Sequence, residues 1–152
     1  MMARLILFLV LILSFNTSAQ QLKKADRFIG EWMYKYDLGV EVWKLSGDEL
    51  IAESYRKNKF GDSTKVEEIR IRMAGKLLVH EWTTYNVSND SLIVNSSTFV
   101  STSKKYRFHN VDGVTPYMIQ YKFGLFSKRK MKILVEYGIN QKPTRFVLER
   151  VN

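Results

Sequence analysis

From Glu31 onward, apolar and polar residues alternate with a period of two in short runs, broken by clusters of Gly, Asn, Asp and Pro. That period sends successive side chains to opposite faces of a strand. The predicted strands are Glu31–Tyr36, Val40–Leu45, Leu50–Lys57, Lys65–Met73, Leu77–Asn86, Ser91–Val100, Lys104–Asn110, Tyr117–Phe123, Lys130–Tyr137 and Thr144–Val151. "DLG" (37–39), "SGD" (46–48), "AGK" (74–76) and "NQKP" (140–143) supply residues that tight turns need. Ahead of them, Leu22, Ala25 and Phe28 fall at helical spacing and predict a short helical lead-in over Leu22 to Phe28. About ten short strands without a long helix form an antiparallel up-and-down meander. A sheet of that size seldom stays open, and closure removes its edges. The expected fold is all-β, a single barrel of about eight to ten strands whose interior packs solid or holds one small ligand. A two-sheet sandwich is the competing architecture.

The first residues follow a different pattern. Arg4 precedes nine consecutive apolar residues, Leu5 to Leu13, and Thr17-Ser18-Ala19 follows with small side chains. This predicts a signal peptide over residues 1–19, since the apolar run is shorter than the ~20 residues of a membrane span. Of 152 residues, removal of 19 leaves 133 in one domain, 20–152, enough for one core. Cysteine is absent, so the fold uses no disulfides and the chain has no cysteine to carry a lipid. An exported chain without cysteine points to a bacterial periplasmic or secreted protein. Taking the leader's Arg4 from 24 basic residues leaves 23 against 15 acids, a formal charge of +8. The basic residues are dispersed over the strands, the pattern of a solvated surface and not of a nucleic-acid patch. The exception is "FGLFSKRKMK" (123–132), a greasy and basic hairpin tip suited to peripheral contact with an anionic membrane.

"FIGEW" (28–32) resembles the Phe/Leu-x-Gly-x-Trp motif that opens the first strand of calycins, the superfamily of lipocalins and fatty-acid-binding proteins. The resemblance implies that Gly30 turns the chain into strand one and that Trp32 closes the barrel base against a late basic residue. Arg150 of "TRFVLERV" (144–151) is the candidate partner through a cation–π contact, with Arg145 as runner-up. "EVWKLSGDELIAESYR" (41–56) is similar to a block in an uncharacterised bacterial calycin-like family. Where many members of that family carry a His-Asp-Phe-Pro-like segment, this chain has "SSTFVSTSKKYRF" (96–108). The family implies a fold and no reaction.

Candidate chemistry is sparse. Glu41 and Trp43 share a strand face, as do Ser54 and Arg56. Facing inward, Glu41 and Arg56 would pair with each other or with a ligand head group. In "EEIRIRM" (67–73) the isoleucines are expected inside and Arg70 and Arg72 outside. His80 and Trp82 share a face, and His80 is expected to be structural or at the surface. Two histidines make a multi-His metal site implausible, and no Gly-x-Ser-x-Gly elbow supports a nucleophilic triad. Tyrosines on many strands suit a cavity that takes a lipid or an aromatic ligand.

The functional expectation is an exported lipocalin-like barrel, monomeric or dimeric, without cofactor or metal. It would bind a small apolar or anionic amphipathic ligand such as a lipid through Glu41, Trp43, Tyr55, Arg56 and Trp82. Three alternatives stand beside it. One is an enzyme using Glu41, Arg56 or His80 as acid–base groups, another is an envelope protein-binding module, and the third is an outer-membrane barrel.

Overall fold

A computed structural model describes residues 23–58, 60–88, 91–101, 106–124, 128–138 and 140–151. The expected leader, and with it the periplasmic or secreted destination, lies outside them. Ten strands follow one another: β1 (Gly30–Tyr34), β2 (Gly39–Ser46), β3 (Glu49–Lys57), β4 (Ser63–Ala74), β5 (Leu77–Ser88), β6 (Ser91–Ser101), β7 (Arg107–Asn110), β8 (Met118–Phe123), β9 (Lys130–Glu136) and β10 (Thr144–Arg150). Each pairs antiparallel with its sequence neighbour, and β1 pairs with β10, so the meander closes into a barrel. The expected helical lead-in is not shown. Leu22 lies outside the described residues, and Lys23–Arg27 forms a 3-10 turn that ends with the Phe28 amide donating to the Ala25 carbonyl at 2.8 Å.

Alternation sets the two faces of the wall. Leu50 and Ala52 on β3, Ile69 and Ile71 on β4, and Met131, Ile133 and Val135 on β9 are buried inside. Their removal from water is the main force holding the closed sheet. The outer face carries ion pairs: Lys44 and Lys65 with Glu53, Arg70 with Glu68, Arg72 with Glu81, Lys130 with Glu149. A charged outer wall around an apolar interior is the inverse of an outer-membrane barrel.

Two irregularities depart from simple alternation. On β4, Ser54 pairs with Glu67 but Tyr55 pairs with Lys65, so Val66 is an extra residue in a bulge. The bulge re-aims the last side chains of β3 and the first of β4 at the barrel rim. At the other end of the barrel, Tyr106 takes φ +47°, a left-handed conformation that interrupts an extended strand. Of the strand expected over Lys104–Asn110, residues 104–105 lie outside the described residues, and β7 begins at Arg107.

One end of the barrel is shut by an aromatic plug. Phe28 packs against Phe123 (4.7 Å between centroids), Trp43 (4.8 Å), Tyr106 (4.8 Å) and Tyr121 (5.3 Å). The Trp32 indole N–H donates to the Phe28 carbonyl at 2.6 Å. The Arg150 guanidinium lies 4.7 Å over the Trp32 ring, and its Nη2 donates to the Arg27 carbonyl at 2.8 Å. Arg150 pairs directly with Trp32 across β10 and β1, which is why it and not Arg145 reaches the ring. Gly30 opens β1 at φ +130°, a backbone conformation that side chains other than hydrogen rarely adopt.

Candidate functional site

Above the plug the barrel holds a cavity of about 660 Å³, open at the far end. Its apolar wall comes from Ile69, Ile119, Ile133, Val135 and Phe146, with the rings of Tyr34, Trp82 and Tyr121 beside them. The volume falls within the range of small-molecule sites, roughly 300–1,000 Å³. The rim is built from the turns at the open end. Tyr36 and Leu38 follow β1, Phe60 lies between β3 and β4, Leu92, Ile93 and Val94 start β6, and Tyr137 follows β9. All of them are exposed.

A polar row crosses the inner wall at mid-depth. Glu41 on β2 pairs with Ser54 on β3, Ser54 with Glu67 on β4, and Glu67 with Thr84 on β5. Ser54, Glu67 and Thr84 line the cavity. Glu41 is fully buried between the cavity and the plug. The Tyr34 hydroxyl donates to Glu41 Oε2 at 3.0 Å. Tyr34 holds that position by packing on Gly39, where a Cβ would meet its Cδ2 at 2.9 Å. Glu41 Oε1 and Ser54 Oγ have no hydrogen-bond partner. Burial pushes the Glu41 carboxyl up to about 8, helped by the nearby Glu67 and opposed by the Tyr34 hydrogen bond. Burial also raises Glu67, with Arg56 pulling it back down.

His80 lies deeper and is fully buried, with Nε2 2.9 Å from the Tyr121 hydroxyl. Burial pushes its pKa down to about 3, so the imidazole is neutral in ordinary solution. Tyr121 is raised well above its usual value by burial and by the two glutamates. The cavity wall therefore carries hydroxyls, a neutral imidazole and the Glu67 carboxyl, with Glu41 buried behind it. Among the described residues, the cations lining it are Arg56 and Arg145, both exposed at the mouth. No group of three or more His, Asp or Glu is placed to hold a metal, again among the described residues.

The sequence-derived site residues divide between these levels. Trp82, Tyr55 and Arg56 line the cavity. Tyr55 and Arg56 do so together, although neighbours on a regular strand face opposite ways, because the bulge lies beside them. Trp43 does not line the cavity; it is buried in the plug against Phe28 and Tyr121. Glu41 and Arg56 do not form the expected pair. Arg56 reaches Asp37 at 3.4 Å on the rim, while Glu41 bonds Tyr34. Phe123, expected at a greasy surface tip, packs into the plug, and 125–127 lie outside the described residues. Among the described residues most exposed large apolar side chains lie at the mouth end, while Ile29, Leu45 and Leu77 are exposed towards the plug.

Ser54 was read from sequence only as sharing the Arg56 face, and Tyr34 and Tyr121 only among many tyrosines; Glu67 was not among the sequence-derived site residues. For Glu67 the signal was present. Ile69 and Ile71 point inward, and stepping back two residues along the strand leads to Glu67. Its proximity to Glu41 comes only from register, through Ser54. No protein family, curated protein or solved structure matches the chain.

Proposed function

We propose that the chain is an exported, lipocalin-like barrel that holds one small amphipathic ligand, such as a lipid, in its interior. The observation that supports this most is the 660 Å³ cavity, shut at the plug and open at an apolar rim. Apolar walls with a few convergent polar groups suit a ligand with one polar end. The exposed rim offers an apolar path from a lipid phase to the cavity. Titration with the neutral fluorophore N-phenyl-1-naphthylamine tests the reading. One saturable site per chain, with blue-shifted emission, is expected; non-saturating emission equal to that of free dye overturns it.

One observation favours acid–base catalysis as a second reading: a buried carboxyl with its pKa near neutrality beside a cavity. Activity screening of wild type against Glu41→Gln separates the readings. An activity lost in a folded variant supports the enzyme.

A further inference from the structure

Glu67 and Ser54 line the cavity, and Glu41 stands beside Ser54 with Oε1 unpartnered and fully buried. Ser54 Oγ is likewise buried and unpartnered. The other Glu41 oxygen accepts from the Tyr34 hydroxyl at 3.0 Å, and the neighbouring Trp43 indole also favours the charged carboxyl. At this depth His80 is neutral, and Arg56 acts on Glu67 from the rim, where it pairs with Asp37 at 3.4 Å. Glu67 at the cavity wall and Glu41 behind it are both raised by burial, so a cation brought beside them favours their charged forms and a carboxylate opposes them. The neighbouring surfaces are aromatic and aliphatic. Tyr34, Trp82 and Tyr121 present rings to the cavity, and Ile119, Ile133 and Val135 continue towards the mouth.

We propose that the row of Glu41, Ser54 and Glu67 is the head-group site for the protonated nitrogen of an amine amphiphile. It rests on the cavity reading above and goes beyond it by assigning the ligand's charge and its direction. The ammonium sits deep, donating to Glu67 and to the free oxygen of Glu41, with the aromatic faces around it. The hydrocarbon runs outward along the isoleucines to the apolar rim. A carboxylate ligand in this orientation would oppose ionisation of both glutamates, whereas an ammonium favours it. In the reverse orientation its head would rest on exposed Arg56 and Arg145, where water screens the attraction.

The test is displacement of bound N-phenyl-1-naphthylamine by decylamine, decanol and decanoate at neutral pH, which share a chain length and differ in the head. Wild type, Glu41→Gln and Glu67→Gln are compared, each checked for folding by thermal melting. Decylamine is expected to displace the dye at about tenfold lower concentration than decanoate, with decanol between, as one charge-assisted hydrogen bond implies. Either substitution is expected to close most of the gap between amine and alcohol, each displacement being referred to that variant's own dye affinity. Glu67→Gln keeps the proposal testable should Glu41→Gln fold poorly. Decanoate equal to or better than decylamine on wild type overturns the head-group assignment and leaves the cavity reading standing, as does an amine preference unchanged in both variants. Failure of the dye to bind wild type at all overturns both.

Discussion

Replacing Glu41 by Gln is expected to stabilise the folded chain at neutral pH, by an amount that vanishes in acid. Burial raises this carboxyl from 4.5 to about 8. The folded state therefore keeps a proton that the unfolded state has released. The resulting cost to folding is absent below the unfolded pKa, grows as pH rises between the two values, and is constant above the folded one. At pH 7 the gap is ~2.5 pH units at ~1.4 kcal/mol each, or about 3 kcal/mol. Gln has no proton to lose, and its carbonyl still accepts from the Tyr34 hydroxyl. Glu67 is raised in the same direction but is present in both proteins, so it cancels in the difference. His80 pulls the opposite way: its lowered pKa gives stability that is present above the unfolded value and lost as pH falls towards 3. It cancels too. The assay is urea denaturation of both proteins at steps between about pH 4 and pH 8. The difference should climb from near zero at pH 4 to about 3 kcal/mol at pH 7 and about 4 kcal/mol at pH 8. A difference that does not change with pH, or a variant less stable than wild type at pH 7, refutes the reasoning.

Three further perturbations probe the scaffold around the cavity. Arg150→Met removes the guanidinium 4.7 Å over Trp32 and the 2.8 Å hydrogen bond to Arg27; a loss of about 1–2 kcal/mol in urea denaturation is expected, and no loss would contradict its role in the plug. Tyr121→Phe strips buried His80 Nε2 of its 2.9 Å partner; destabilisation of about 1–3 kcal/mol is expected, and in a double-mutant cycle with His80→Phe the second change should restore part of it, strict additivity being the contrary result. Gly39→Ala sets a Cβ 2.9 Å from Tyr34 Cδ2; a cost of about 1–3 kcal/mol is expected, relieved when Tyr34 is also cut to Ala, and additive losses would show that the two residues do not collide.

The strands were legible because alternation and turn residues agreed locally. Ile69 and Ile71 point in and Arg70 points out, as their period requires. The plug was legible in part: Gly30, Trp32 and Arg150 come together, yet the ring at its centre is Phe28, delivered by a 3-10 turn that spacing does not specify. The cavity was harder to see. Trp43 and Trp82 both face inward, but their depth along the barrel decides that one fills the plug and the other lines the cavity. Depth depends on register, a long-range property. Glu41 and Glu67 meet for the same reason, through strand pairing across Ser54. Arg56 looked like a partner for Glu41 because both were expected on the inner face; it does share the Ser54 face, but it sits a step nearer the mouth and pairs there with the rim carboxylate of Asp37.

The most direct measurement is dye affinity after filling the cavity from its wall. Ile133 lines the cavity and is nearly buried, so Ile133→Trp occupies the space a ligand needs and leaves the rim unchanged. N-phenyl-1-naphthylamine should bind wild type at one saturable site and lose about tenfold or more in affinity on the folded variant, a change of at least ~1.4 kcal/mol. Equal affinity for the two proteins would place the dye outside the barrel and contradict an interior ligand site.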